Sequence, residues 1–202
     1  MRWILYLITM IMAVAAKKYD FMLGTDGWTA VGHGTLEHRS WIIAGQGVKS
    51  DIGGPSLYHF IIGKEARVNV DARNRNDKDL WYFQSPPITL GFRPTLLTFN
   101  MMSFSGDFRR LNRSPVLVRL QFEDGSLAEF PVYQEYDGSL TTFYVPFVEK
   151  LWTISYDGRG RFVDGGCSIA GTIWHTKPFR LEILGDWTQG WETIGLDNVE
   201  IV

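Results

Sequence analysis

Apolar residues follow a short-period pattern along most of this chain. After residue 16 they alternate with polar residues or form brief runs, and Gly, Pro, Asn and Asp separate the runs. No long window keeps the 3.6-residue spacing of an amphipathic helix, so strands should dominate. The predicted strands cover residues 41–44, 58–62, 79–84, 95–104, 116–121, 128–132, 141–146, 151–154, 172–174, 179–184 and 198–202.

Two stretches carry sharper local signals. Residues 117–122 and 127–132 flank the sequence Glu-Asp-Gly-Ser, which predicts a hairpin with an Asp-Gly turn. Residues 143–147 predict a strand that ends near Pro146, because proline cannot donate a hydrogen bond to a central ladder. A brief helical or turn segment is expected next, before Trp152.

The C-terminal stretch combines an aromatic loop, residues 186–192, with a predicted closing strand. Trp187 and Trp191 bracket a glycine in this loop, where an aromatic face can stack on a sugar ring. Asp186, Gln189 and Glu192 could then hydrogen-bond the sugar hydroxyls. The alternative is that one or both tryptophans close the open end of a sandwich. The loop is therefore the predicted ligand site.

Length, charge and aromatic content narrow the class of protein. A chain of 202 residues with 45% hydrophobic residues can bury one core, so a single domain is expected. A net charge of −2 gives no electrostatic reason to expect nucleic acid or an anionic membrane as partner. Eight tryptophans are present, and Trp81, Trp152 and Trp174 lie in strand-like runs that predict core positions.

Residues 1–16 have the layout of a secretory signal peptide. Arg2 supplies a positive start, residues 3–14 are almost wholly apolar, and small residues precede Lys17. The apolar run is shorter than the roughly 20 residues needed to cross a bilayer, so cleavage after Ala15 or Ala16 is predicted. An uncleaved anchor or an organelle-targeting segment is the alternative. The mature domain would then cover residues 17–202 and be secreted.

Cysteine and glycosylation signals add little. Cys167 is the single cysteine of the sequence, so it cannot form an internal disulfide. A buried thiol and an intermolecular bridge both remain open. Asn112 begins a glycosylation sequon, although Pro115 directly after the sequon disfavours occupancy.

Residues 79–91 and 96–101 resemble the laminin IV (laminin B) module, in which an aromatic-rich strand is followed by a small-Pro step, a Leu-Gly turn and another core strand. The resemblance continues through residues 26–28, 116–122 and 195–199 and spans about residues 20–202. It implies an all-β fold, a galactose-binding-like jelly-roll sandwich of two packed antiparallel sheets, which the strand pattern favours independently. Laminins embed this module among cysteine-rich repeats and a coiled coil, which are absent from this sequence, so a basement-membrane role does not carry over.

A second, shorter resemblance involves residues 50–56, which are similar to a loop of the complex I intermediate-associated family, another jelly roll of the same superfamily. It implies an alternative function as an organellar, mitochondrial assembly factor or accessory subunit of a larger complex.

Candidate chemistry is sparse. The carboxylates Asp124, Glu135 and Asp137 sit in separate turns from each other and from Asp186 and Glu192, so no glycosidase pair is singled out. The four histidines and Cys167 show no catalytic or transition-metal motif. No catalytic residue is predicted, and a glycoside-acting enzyme stays an alternative only because jelly rolls host such chemistry.

The family resemblance also suggests a structural calcium ion, which jelly rolls of this superfamily often hold where the first and last strands meet. Asp20 and Asp197 are its candidate ligands here, and the alternative is that Asp197 only forms a turn with Asn198. The sequence therefore predicts a secreted, non-enzymatic module that binds glycan or an extracellular protein and requires no cofactor.

Overall fold

In the computed structural model the described residues are 16–42, 57–65, 80–108, 116–123, 125–155, 177–188 and 191–202. Predictions that concern residues 1–15, Asn112, Asp124, Cys167, residues 172–174 and Gln189 lie outside them. The described strands are β1 Lys17–Tyr19, β2 Thr29–Val31, β3 Gly34–Ile42, β4 Leu57–Glu65, β5 Tyr82–Gln84, β6 Leu96–Ser105, β7 Val116–Phe122, β8 Leu127–Pro131, β9 Thr141–Pro146, β10 Thr153–Ser155, β11 Phe179–Leu184 and β12 Thr193–Ile201. In these ranges no helix is long and apolar enough to cross a membrane.

The strands form two antiparallel sheets. Sheet A has the order β3-β4-β12-β6-β9, and β1 pairs with the C-terminal half of β12. Sheet B has the order β10-β8-β7-β11-β5-β2. Apart from the pairs β3–β4 and β7–β8, neighbouring strands are not consecutive in the chain, as in a jelly roll. The predicted all-β sandwich of two antiparallel sheets is confirmed.

The core lies between the sheets and follows the two-residue period of each strand. On β6, Leu97, Phe99 and Met101 are fully buried, while the residues between them are only partly covered. Phe99 stacks on Phe143 of β9 with ring centroids 5.1 Å apart. Because side chains alternate across a strand, the intervening residues of β6 face outward.

Trp81 occupies a cradle of glycines in this core. A Cβ atom added at Gly63 or Gly185 would come within 2.3 and 2.0 Å of its ring, and one at Gly34 within 2.8 Å. Since real Cβ atoms do not approach so closely, the indole fits only because these positions lack a side chain. The predicted core positions of Trp81 and Trp152 are confirmed.

Several predicted elements match the structure. β7 and β8 form the predicted hairpin, in which Gly125 adopts a φ of 82°. β9 ends at Pro146, and a short 3-10 turn, Glu149–Leu151, follows it.

Other strand boundaries were wrong. β3 begins at Gly34, seven residues before the predicted start at residue 41, because Glu37 and Arg39 mask its apolar pattern. These charged residues suit an edge strand, where Glu37 pairs with Arg39 at 2.9 Å and with Lys64 of β4 at 2.5 Å. β12 begins at Thr193, not at residue 198, and β1 and β2 were not predicted.

Candidate functional site

The loop before β12 buries one of its two tryptophans. Trp187 is 3% exposed, and its ring centroid lies 4.7 Å from that of Tyr136 and 5.7 Å from that of Phe143. Its indole N–H donates to the carbonyl of Leu184 at 3.2 Å. In this structure Trp187 therefore has no face available for a sugar ring, and it packs as part of the core.

Glu192 fixes the backbone of this loop by hydrogen bonds. Its carboxylate accepts the backbone N–H groups of Trp187 at 2.7 Å and Thr188 at 3.0 Å, and the side chain is completely buried. Burial, reinforced by the nearby charge of Asp186, raises the pKa of Glu192 well above its usual value. Asp186 is buried as well. Glu192 is thus placed to hold the loop, and neither buried carboxylate is placed to contact a ligand directly.

Trp191 is the exposed member of the predicted ligand set. It is 57% exposed, whereas Asp186, Trp187 and Glu192 are buried, and Gln189 lies outside the described residues. The structure brings Asp186 and Glu192 together, but it does not place them on a surface beside Trp191. A ligand-binding role for this loop stays a prediction that depends on Trp191.

The two predicted calcium ligands do approach each other. Burial, together with the charge of Asp20, raises the pKa of Asp197 to about 7, and the charge of Lys18 opposes this shift. The pairing of β1 with β12 brings Asp20 and Asp197 near because Tyr19 lies opposite Val199. The first and last described strands therefore meet at these acids.

Asp197 lies inside β12 together with Asn198, at a β-bulge and not at the predicted turn before the last strand. Its Oδ1 accepts the backbone N–H of Asn198 at 2.7 Å and its Oδ2 the side-chain amide of Asn198 at 3.1 Å. Asn198 has a φ of 49°, and the pairing of β12 with β6 shifts register between Asp197 and Glu200. Within the described ranges no group of three His, Cys, Asp or Glu residues could hold a metal ion.

The outer face of sheet A carries a row of polar and aromatic side chains. Lys18 of β1 lies opposite Glu200 of β12, Glu200 opposite Thr98 of β6, and Thr98 opposite Tyr144 of β9. The chain neighbours of Glu200, Thr98 and Tyr144 are buried in the core, and so is Tyr19 beside Lys18, so these four residues face outward. We call them the polar row. With adjacent strands about 4.8 Å apart, the polar row is about 14 Å long.

Tyr144 provides the aromatic end of the polar row. It is 55% exposed, and its backbone carbonyl accepts a hydrogen bond from the hydroxyl of Tyr133, itself 51% exposed. Beside it, the hydroxyl of Thr142 donates to the side-chain oxygen of Asn100 at 2.8 Å. An exposed ring fixed to a strand, next to amide, hydroxyl, carboxylate and ammonium groups, can stack on a ligand and hydrogen-bond its polar groups.

The other half of the same face is apolar and already covered. Phe60 and Ile62 of β4 are buried and pack with Met102, Phe104 and Leu140. Phe60 and Phe104 meet edge to face at 5.6 Å above Gly195, where an added Cβ would lie 2.7 Å from both rings. We call this group the apolar half. The open parts of the face are the polar row and the charged side chains of Glu37 and Arg39 on the β3 edge.

The polar row was missed at the sequence level, although part of its signal is visible. The alternation Leu97, Thr98, Phe99, Asn100 already indicates that Thr98 and Asn100 face away from the core. Which strands lie beside β6 cannot be deduced from alternation, and the assembly of the row depends on that order. Lys18 lies in β1, a strand that was not predicted at all.

The remaining titratable residues show no catalytic arrangement among the described residues. The ring Nε2 of His38 donates to the carbonyl of Phe21 at 2.6 Å, which is a structural contact. Asp186 and Glu192 interact closely, but a buried pair does not flank a substrate cleft.

No protein-family model and no curated protein matches the chain. Several solved structures are similar to the chain. The L4b domain of human laminin alpha-2 superposes with a TM-score of 0.54 at 11% identity, covering 94% of this chain and 99% of that one. A family 11 carbohydrate-binding module from Clostridium thermocellum, in complex with a beta-1,3-1,4-mixed-linked tetrasaccharide, superposes with a TM-score of 0.51 at 12% identity, covering 94% and 96%.

At these identities the likeness concerns the fold. The sheet order and both similar structures confirm the predicted architecture: this chain has the fold of a laminin-IV-like jelly-roll β-sandwich.

Proposed function

We propose that this protein is a secreted, non-enzymatic binding module that holds a glycan on the polar row of sheet A. The observation that carries the proposal is the row itself: Tyr144 offers an exposed ring, and Thr98, Glu200 and Lys18 follow it in register across three further strands. A sugar presents C–H groups on its faces and hydroxyls at its rim, so it needs this combination of a ring and polar groups.

The shape of the row favours a stretch of glycan chain over a single sugar. Its four members lie along a line of about 14 Å on a sheet surface. Lys18 and Glu200 carry opposite charges, so the row has no net charge and favours a neutral glycan. The ligand of the similar family 11 module, a beta-1,3-1,4-mixed-linked tetrasaccharide, is of this kind.

The polar row and the tryptophan loop can be tested against each other because they are far apart. Trp191 precedes β12, whereas Glu200 is near its other end, roughly 23 Å along the strand. A glycan array would find ligands, and calorimetry with the mixed-linked tetrasaccharide or the best array hit would compare Tyr144→Ala with Trp191→Ala. Loss of binding in Tyr144→Ala alone supports the row. Loss in Trp191→Ala alone would move the site to the loop.

An extracellular protein is the competing ligand, and a specific observation supports it. Tyr133, Tyr144, Val148 and Leu151 are all exposed near the β9 edge of sheet A. If no glycan binds and an extracellular protein contacts this edge, the glycan proposal is wrong. Intact-mass analysis of the native protein tests secretion, since a start at Ala16 or Lys17 indicates a cleaved signal. A protein that keeps its N-terminal segment and co-purifies with an organellar complex would instead favour the assembly-factor alternative.

A structural calcium ion at Asp20 and Asp197 is a further part of this proposal. The buried carboxylate of Asp197, whose pKa is raised to about 7, and the adjacent charge of Asp20 would both be compensated by a divalent cation. Three hydrogen-bond donors already occupy Asp197, from Asn198 and the backbone of His59. Carbonyl groups or water would therefore have to complete the 6–8 oxygen ligands that calcium takes. Such an ion would tie the first strand to the last.

A further inference from the structure

A second candidate site lies on sheet B, away from the polar row. An open cavity of about 300 Å³ occurs where β7 turns into β8 and where β11 begins. Pro87 and Pro178 line it together with Gln121, Glu123 and Arg180. Its volume is at the lower end of the range for small-molecule pockets, so it suits a ligand of one ring.

The walls of this cavity are held in place by the backbone. Ile88 and Phe179, which directly follow Pro87 and Pro178, exchange two backbone hydrogen bonds, at 2.7 and 3.0 Å. The hydroxyl of Ser85 accepts the backbone N–H of Leu181 at 2.9 Å. The hairpin turn closes through the N–H of Gly125, which donates to the carbonyl of Phe122 at 3.0 Å. Little ordering would be needed on binding, which favours even a small ligand.

The polar groups at the cavity are available for a ligand. Gln121 and Arg180 lie directly opposite each other on β7 and β11, and both are exposed, as is Glu123. In the described part of the chain the guanidinium of Arg180 makes one long contact, 3.4 Å from its Nη1 to the carbonyl of Ser85. Arginine can only donate, glutamate can only accept, and glutamine can do both.

This combination identifies the chemistry of the ligand. A hydroxyl group both donates and accepts, so several neighbouring hydroxyls match a site that offers both kinds of partner. The proline rings supply apolar surface for C–H groups, and the charges of Glu123 and Arg180 cancel. We propose that this cavity is a second carbohydrate site, which binds a single neutral pyranose ring. It does not depend on the polar row, because the two sites lie on different sheets.

The test uses the full chain labelled with ¹⁵N and titrated with glucose, galactose, mannose and N-acetylglucosamine. We expect one of these sugars to shift the amide signals of Gly125 and Arg180 in a saturable way. Arg180→Ala and Glu123→Gln should each weaken that binding about tenfold, the size expected for one hydrogen bond to a charged group. Lys150→Ala, another exposed charge change, should leave it unchanged. Absence of these shifts at tens of millimolar of every sugar would overturn the proposal.

Two further arms define the ligand and separate the two sites. If the natural ligand is the end of a glycan chain, an oligosaccharide that ends in the preferred sugar should bind at least as tightly as the free sugar. If the natural ligand is a free sugar, the oligosaccharide should not bind. Stronger binding of glucuronic acid than of glucose would contradict a neutral ligand. Tyr144→Ala should not change the shifts at Gly125 and Arg180. Failure of glycan binding at the polar row therefore leaves this site standing, and the reverse also holds.

Discussion

The two halves of the outer face of sheet A differ although the same strands build them. β6 contributes Met102 and Phe104 to the apolar half and Thr98 to the polar row. β12 contributes Gly195 to the first and Glu200 to the second. The aromatic rings of the apolar half pack against each other and stabilise the fold. The polar row instead exposes a tyrosine and several hydrogen-bonding groups to solvent. On this face, ligand binding is therefore expected at the exposed polar row and not at the buried apolar half.

Removing a ring from the apolar half should have the largest effect on stability. Phe60 is completely buried and packs against Phe104, so Phe60→Ala should lower the free energy of unfolding by about 3–5 kcal/mol. Urea denaturation measures this, and Ile62→Val, which removes one methyl group, should cost only about 0.5–1.5 kcal/mol. A loss for Phe60→Ala no larger than that of the control would mean that the apolar half is not a true core.

Asp197, which lies on β12 between the two halves, should make the stability of the fold depend on pH. The pKa of Asp197 is raised to about 7 in the folded state, so the folded protein binds more protons than the unfolded chain between about pH 4 and pH 7. Stability should thus be higher at the acid end and fall as the pH rises through this window, on the order of 4 kcal/mol in total. Denaturation midpoints across this range measure the slope.

Asp197→Asn isolates the contribution of this carboxylate. Glu192, whose pKa is also raised, adds a slope of the same sign, so the variant should flatten the curve without levelling it. Added calcium should raise the unfolding temperature more at pH 8 than at pH 5, and Asp197→Asn should abolish that gain. An unchanged slope in the variant would show that Asp197 does not titrate as described.

Gly195 connects the two halves through β12 and should tolerate no side chain. Gly195→Ala would place a Cβ 2.7 Å from the rings of Phe60 and Phe104, so we expect a loss of about 1–3 kcal/mol. Gly91→Ala is the matched control because an added Cβ there meets no atom within 4 Å. Equal denaturation midpoints for the two variants would refute a close approach at Gly195.

The comparison also explains how much could be predicted from the sequence. Alternating positions predicted most central strands, the Asp-Gly hairpin and the buried Trp81, because these depend on local period and turn chemistry. Edge strands such as β3 were misjudged, since Glu37 and Arg39 on an exposed edge conceal the period. The polar row depends on which strands are neighbours, a non-local property. Trp187 and Trp191 look equivalent in sequence. Their burial differs because Trp187 packs against Tyr136 and Phe143, contacts that the sequence does not reveal.

The smallest expected change in stability belongs to the polar row, and it should accompany the largest loss of binding. Tyr144 is more than half exposed, so Tyr144→Ala should change the free energy of unfolding by no more than about 0.5 kcal/mol. Its ring is nevertheless the stacking surface of the row, and its loss should weaken the glycan about tenfold or more. Tyr144→Phe keeps that surface and should retain most of the affinity. If Tyr144→Ala instead destabilised the fold as Phe60→Ala does, the two halves would be one structural core, and the division between stability and binding on this face would fail.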